Sequence, residues 1–144
     1  MPENDVIPMN SLSLRAAQRI ADAAVVSAQS HGITVCVAVS DPSGEPIATV
    51  RMDGAPRLSA EIARNKAHSV AAFNGLPTHL WWPAIADDPA LVHGLTHTPR
   101  LIVFGGGVPV RIDGALVGAI GVSGGSAEQD RLIAEAAAEA LSAT

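Results

Sequence analysis

The chain has 144 residues, 48% hydrophobic and 16% charged, with a net charge of -5, which suits one domain with a real core and excludes a disordered tail. Lys and Arg are scattered without a basic run, so a nucleic-acid footprint is absent. No apolar run reaches bilayer-spanning length, and Met1–Asn10 lacks the basic start and apolar stretch of an export signal, so a cytoplasmic location is expected.

Residues 1–10 read as a loose arm, and residues 11–144 as a single domain. Leu14, Ala17, Ala21, Ala24, Val25 and Ala28 recur at helical spacing, with Ser11 or Ser13 as the cap and His31-Gly32 as the stop. Ile33–Val39 reads as a strand. It is followed by the turn Asp41-Pro42-Ser43-Gly44 and a second strand over about Pro46–Met52. The single Cys36 falls in the first strand, where an apolar setting marks a structural thiol, and no disulfide forms within one chain.

Ser59 is placed to cap a helix running to about Asn74, with Ile62, Lys66, Val70 and Phe73 on one stripe. A lysine on such a stripe either snorkels to the edge or meets a carboxylate or ligand. Between Gly75 and Pro99 four prolines break the pattern, and one or two short helices are expected in a long connection. Leu101–Phe104 then reads as a short strand, followed by Gly105-Gly106-Gly107. Val108–Ile112 and Ala115–Val122 flank Asp113-Gly114, a hairpin signal because a type I′ turn needs positive φ at both central positions. Ser126 and Gln129 fit a capping box that opens a last helix to about Leu141. Strands joined by hairpins, with helices between them, give an antiparallel α+β domain.

Three groups of residues carry potential chemistry. Gly105, Gly106 and Gly107, and Ser123, Gly124 and Gly125, allow close backbone approach. The second set leads into a helix N-terminus that favours a carboxylate, phosphate or haem propionate, although both sets also suit plain fold geometry. Arg51, Arg64, Lys66 and His68 form a second group, in which Arg64 and His68 share a helix face. Lys66 is there either a substrate clamp or base, or one half of a structural salt bridge to Asp53 or Asp130. The third is His79, Trp81, Trp82, His93 and His97. No clear third ligand accompanies the His93/His97 pair, so a protein metal site is not expected, whereas any of His68, His79, His93 or His97 suffices as a haem axial ligand. Trp81 and Trp82 suit a planar ring or a subunit contact. No G-x-S-x-G elbow, Walker A or dinucleotide fingerprint occurs.

Asp41-Pro42-Ser43-Gly44, Arg51-Met52-Asp53-Gly54-Ala55 and Lys66-Ala67 form one ordered set of motifs. Gly105-Gly106-Gly107-Val108-Pro109, Gly118–Gly125 and Gln129-Asp130 form another. Together these resemble the GlcG/HbpS family, also called PduO C-terminal-like, over about Leu12–Leu141. The resemblance implies a profilin-like three-layer α/β/α sandwich around a five-stranded antiparallel sheet, and homo-oligomers, octamers among them. It also implies haem as a cofactor of some members.

Two functions stay open. One is an oligomeric binding protein for haem, another tetrapyrrole or a small carboxylate. The other is a cofactor-independent isomerase, lyase, hydratase or decarboxylase acting on a small oxygenated carboxylate. In that enzyme Arg51 or Arg64 holds the carboxylate, Lys66 or His68 moves the proton, and Asp53 or Asp130 orients the base. A purely structural oligomer is a third possibility.

Overall fold

A computed structural model describes residues 5–141. Residues 5–10 carry no regular structure and are exposed, and the rest of the expected arm, residues 1–4, lies outside the described residues. Helix α1 runs Leu14–Ser30, and the Ser13 hydroxyl accepts the Ala16 N–H as its cap. Its buried face is Ala17, Ile20, Ala21, Ala24 and Ala28. The strands β1 (Cys36–Ser40) and β2 (Pro46–Arg51) pair antiparallel across a turn in which Asp41 Oδ1 accepts from the Ser43 and Glu45 amides.

Helix α2 (Leu58–Ala72) starts one residue ahead of Ser59, which lies buried inside it without capping it. It ends at Ala72 because Phe73 leaves helical geometry. Phe73 is 55% exposed rather than on the buried stripe, and its ring lies 4.8 Å from that of Trp81. A 3-10 turn at Thr78–Leu80 and the short helices α3 (Trp81–Ile85) and α4 (Pro89–Leu95) occupy the proline-broken connection. The hairpin β3 (Gly107–Ile112) and β4 (Ala115–Ser123) turns at Asp113 and Gly114, whose φ values are 51° and 81°. Helix α5 (Ala127–Ala138) opens with the reciprocal Ser126/Gln129 capping box.

Among the described residues the sheet has four strands, all antiparallel, in the order β2-β1-β4-β3, and not five. The segment Leu101–Phe104, expected as a strand, is irregular. The physical reason is Ser69 on α2. Its hydroxyl accepts the Ile102 N–H at 2.9 Å and shares its proton between the carbonyls of Asn65 and Arg100 at 2.7 and 3.0 Å. Backbone groups satisfied by a side chain have no need of a ladder partner.

Helices cover both faces of the sheet. On one face Val35, Val37, Val39, Val108, Val110, Ile120 and Val122 pack with α1 and α5 into the main core. On the other, Cys36, Ala38 and Ala119 meet Ala63, Ala67 and Val70 of α2. That second layer is built for close approach. A Cβ at Gly121 would lie inside contact distance of the Ala63 carbonyl and 2.8 Å from the Ala67 nitrogen. Among the described residues no helix is long and apolar enough to cross a membrane.

Candidate functional site

Successive residues of α2 point in different directions, and this sorts the polar residues expected to act together. Lys66 faces inward and is 1% exposed. Its ammonium passes the end of β4, donating to the Val122 carbonyl at 2.8 Å and to Asp130 Oδ2 of α5 at 3.2 Å, with the Phe104 ring centred 5.2 Å away. The other Asp130 oxygen accepts the Gly125 N–H at 2.9 Å. The ion pair therefore ties α2 on one face of the sheet to α5 on the other. Burial pulls the Lys66 pKa below its ordinary value, and the Asp130 carboxylate opposes that shift.

The glycines around this pair are filled by the protein itself. A Cβ on Gly106, whose φ is 126°, would stand 2.5 Å from both Lys66 Nζ and the Val122 carbonyl oxygen. A Cβ on Gly107 would meet the Lys66 carbonyl and Thr78 at 2.8 Å, and the Thr78 hydroxyl accepts the Gly107 N–H. Gly105 lies against Ala127 and His79, Gly124 against Thr34 and Val35, and Gly125 against Ile33 and Gln129. Ser123 is buried at the end of β4, where it pairs with Cys36 in the ladder. At the α5 N-terminus the amides of Gly125, Ser126 and Gln129 donate to Asp130, Gln129 and Ser126.

Arg64 and Arg51 are exposed and line a cavity of about 70 Å³ between α2 and β2, floored by Cys36 and Val37. Burial raises the Cys36 thiol pKa, with Arg51 pulling the other way. Arg51 also borders an open hollow of about 340 Å³ with Met52 and Asp53. Neither arginine has an ion-pair partner among the described residues. The structure thus brings Arg51 and Arg64 together, and Lys66 and Asp130 together. It does not bring the lysine to the arginines, or Asp53 to the lysine.

His68 belongs to a third place. With Ser69, Ala72 and Phe73 of the α2 end it forms one wall of a cavity of about 270 Å³ whose other wall is Trp81, Leu95, Thr98, Pro99 and Leu101. The lining is mostly apolar, and the Phe73–Trp81 pair, tilted by 56°, supplies aromatic surface. His68 Nδ1, beside Gly44, is buried without a hydrogen-bond partner among the described residues, and so is the Trp81 indole N–H. Unpaired buried polar atoms are rare in folded proteins and call for an account. Burial lowers the His68 pKa, the Arg100 cation lowers it further, and Glu45 opposes. The imidazole is therefore held toward its neutral, ligand-competent form.

The remaining histidines lie elsewhere. His79 sits beside Gly105 and α5, its Nδ1 buried without a partner, its pKa lowered by burial and Arg131 against Glu135 and Glu128. His93 and His97 are exposed in and just after α4, and Trp82 is 54% exposed. No group of three or more His, Cys, Asp or Glu able to hold a metal ion occurs among the described residues.

Sequence reasoning did not single out Ser69, Phe73 and Leu101 as cavity walls, or Arg100 at its rim. Arg100 has φ 66°, and its Nε donates to Asn65 Oδ1 at 3.1 Å. No local pattern in the sequence marks an arginine for the left-handed region.

A flat apolar group with one axial ligand fits this donor set: a half-buried imidazole without a hydrogen-bond partner, aromatic and aliphatic walls, and a cation near the rim. Comparison with known proteins agrees with the fold and bears on that fit. An uncharacterized 15.0 kDa protein encoded between dhaT and dhaS in Citrobacter freundii is 37% identical, over 92% of this chain and 93% of its own length. The corrinoid adenosyltransferase PduO of the same organism is 35% identical over 93% of this chain, which spans only 40% of PduO. The crystal structure of a PduOC:haem complex superposes with a TM-score of 0.83 at 35% identity, covering 90% of this chain and 94% of that one. The profile of the family described as haem degrading protein HbpS-like matches residues 12–139. The chain belongs to the HbpS-like family.

Proposed function

We propose that this chain is a haem-binding protein that seats the porphyrin edge or face in the cavity between α2 and the α3–α4 segment, with His68 as the axial ligand. The observation that carries the reading is the meeting, in one apolar cavity, of an imidazole without a protein partner and a pair of aromatic rings. Haem, when bound, supplies an iron centre that can exchange ligands. The chain's own part is to hold the ring against Phe73 and Trp81, keep water from its buried side, and present His68 unprotonated. Of the four candidate histidines, His68 alone lines this cavity. The PduOC:haem complex, a relative with the same fold, supports haem over a small carboxylate as the principal ligand.

Haem titration followed at the Soret band tests the reading. A defined shift is expected in the wild type and in His79→Ala, His93→Ala and His97→Ala, and its loss or change of form in His68→Ala. An unchanged shift in His68→Ala would reject His68, and no shift in the wild type would reject haem binding. Exposed Leu80, Trp82 and Leu91 on the same segment support a subunit contact. Native mass spectrometry of the wild type and Trp82→Ser reads that directly: a wild-type monomer, or an assembly unchanged in the variant, removes this contact.

A further inference from the structure

Arg100 is among the few non-glycine residues of the structure with positive φ, at 66°. An L-residue in that region is strained, and it persists only when its surroundings impose it. Contacts from α2 impose it here. Ser69 Oγ holds both the Arg100 carbonyl and the Ile102 N–H, and Asn65 Oδ1 takes the Arg100 Nε–H. Asn65, His68 and Ser69 lie within about one turn of α2, so the guanidinium is fixed on the face of the helix that carries His68. Chain neighbours on both sides of Arg100 (Thr98, Pro99 and Leu101) line the cavity.

The guanidinium has no carboxylate partner among the described residues, since the ion pairs there involve Lys66 and Arg131 only. Its Nε is committed to Asn65, which leaves the two terminal nitrogens without a protein acceptor. A planar fork with a free end, anchored by its other edge at the rim of an apolar cavity, matches a carboxylate on a ligand whose body is apolar.

We infer that Arg100 makes the cavity selective for a flat apolar ligand bearing a carboxylate at one edge, which it holds at the rim while His68 meets the ligand's centre. This rests on the haem reading above and adds to it the orientation of the ligand: acid edge toward Asn65 and Arg100, far edge toward Phe73 and Trp81. A neutral ligand of the same shape loses the contact.

The test compares haem with haem dimethyl ester, in which both propionates are capped, by Soret titration of wild type, Arg100→Gly and Arg100→Gln. Glycine accepts the left-handed backbone, so Arg100→Gly removes the charge while relieving strain, and its melting temperature should not fall. The wild type is expected to bind the diacid about tenfold or more tighter than the diester, the range of a charge-assisted contact. Both variants are expected to bring the diacid's affinity down to that of the diester while the His68-dependent band persists. Equal wild-type affinity for the two probes, or a preference that survives in both variants, overturns the inference and leaves haem binding standing. No shift with either probe overturns the haem reading, and this inference with it. Should Arg100→Gly unfold, Arg100→Gln alone decides between the same outcomes.

Discussion

Replacing Lys66 by Met should leave a buried carboxylate without its cation. The side chain of Lys66 is 1% exposed and that of Asp130 is 3% exposed, so water does little to screen the loss. Breaking a buried pair from one side costs roughly 3–5 kcal/mol. A ceiling comes from the escape open to the variant, which is to protonate the carboxyl: for an ordinary carboxylate, that costs about 4 kcal/mol at neutral pH. The Gly125 N–H, 2.9 Å from Asp130 Oδ1, still supports the charged form. The expected loss in Lys66→Met is therefore about 3–4 kcal/mol, or roughly 10 °C in melting temperature for a domain of this size. Urea denaturation at neutral pH measures it. One further reading follows from the same physics. Asp130→Asn, whose amide keeps an acceptor for Gly125 and gains a donor for the freed Val122 carbonyl, should recover most of the loss when combined with Lys66→Met. A Lys66→Met variant within about 1 kcal/mol of wild type, or a double variant no more stable than the single, would refute the buried-pair account.

Gly106→Ala should cost more than about 2 kcal/mol, because the new Cβ enters the space of Lys66 Nζ on a backbone with φ 126°. Its effect should be smaller in a Lys66→Met background, read from the two urea midpoints. Ser69→Ala should cost about 1–3 kcal/mol by orphaning the Ile102 N–H and the Arg100 carbonyl, and Ile102 should lose protection in hydrogen exchange. His68 and His79 both have folded-state pKa values below the ordinary 6.5, chiefly through burial. On acidification the unfolded chain takes up protons first, so stability holds above about pH 6.5 and is lost as pH falls below it. The urea midpoint should therefore drop between about pH 7.5 and pH 5.5, and His79→Gln should flatten that drop; a flat wild-type profile would contradict the buried-imidazole account.

The elements with strong local signals were legible from the chain alone. Asp113-Gly114 announced its hairpin, Ser126 and Gln129 their capping box, and the alanine spacing of residues 17–28 its helix. Lys66 stood out as a charge on an apolar stripe, and Asp130 was one of two acids offered as its partner; the pairing spans 64 positions, which no local pattern resolves. Leu101–Phe104 reads as a strand because its residues are apolar and β-branched in part. What decides its conformation is the hydroxyl of Ser69, more than thirty positions earlier. The same limit hid the cavity: its two walls come from the end of α2 and from residues 81–101, and only the tertiary fold apposes them. Glycines that suggested a ligand loop are, at Gly106 and Gly107, the space through which Lys66 and Thr78 reach their partners.

The contact of α2 with the sheet has a consequence for the cavity on its far side. Ala63 and Ala67 already rest on Gly121, the smallest surface a strand can offer. The helix cannot move inward, and any larger residue beneath it would push the whole rod out. His68 and Ser69 ride on that rod, so their positions are set from the sheet as from a datum plane. The facing wall has less of a seat: α3 is short and buries only Trp81 and Ile85, and α4 buries none of its side chains. The cavity therefore has one jaw that is machined and one that can be adjusted. Variation in the bulk of what it grips falls to the segment around Leu95, and the chemistry of the grip stays with α2.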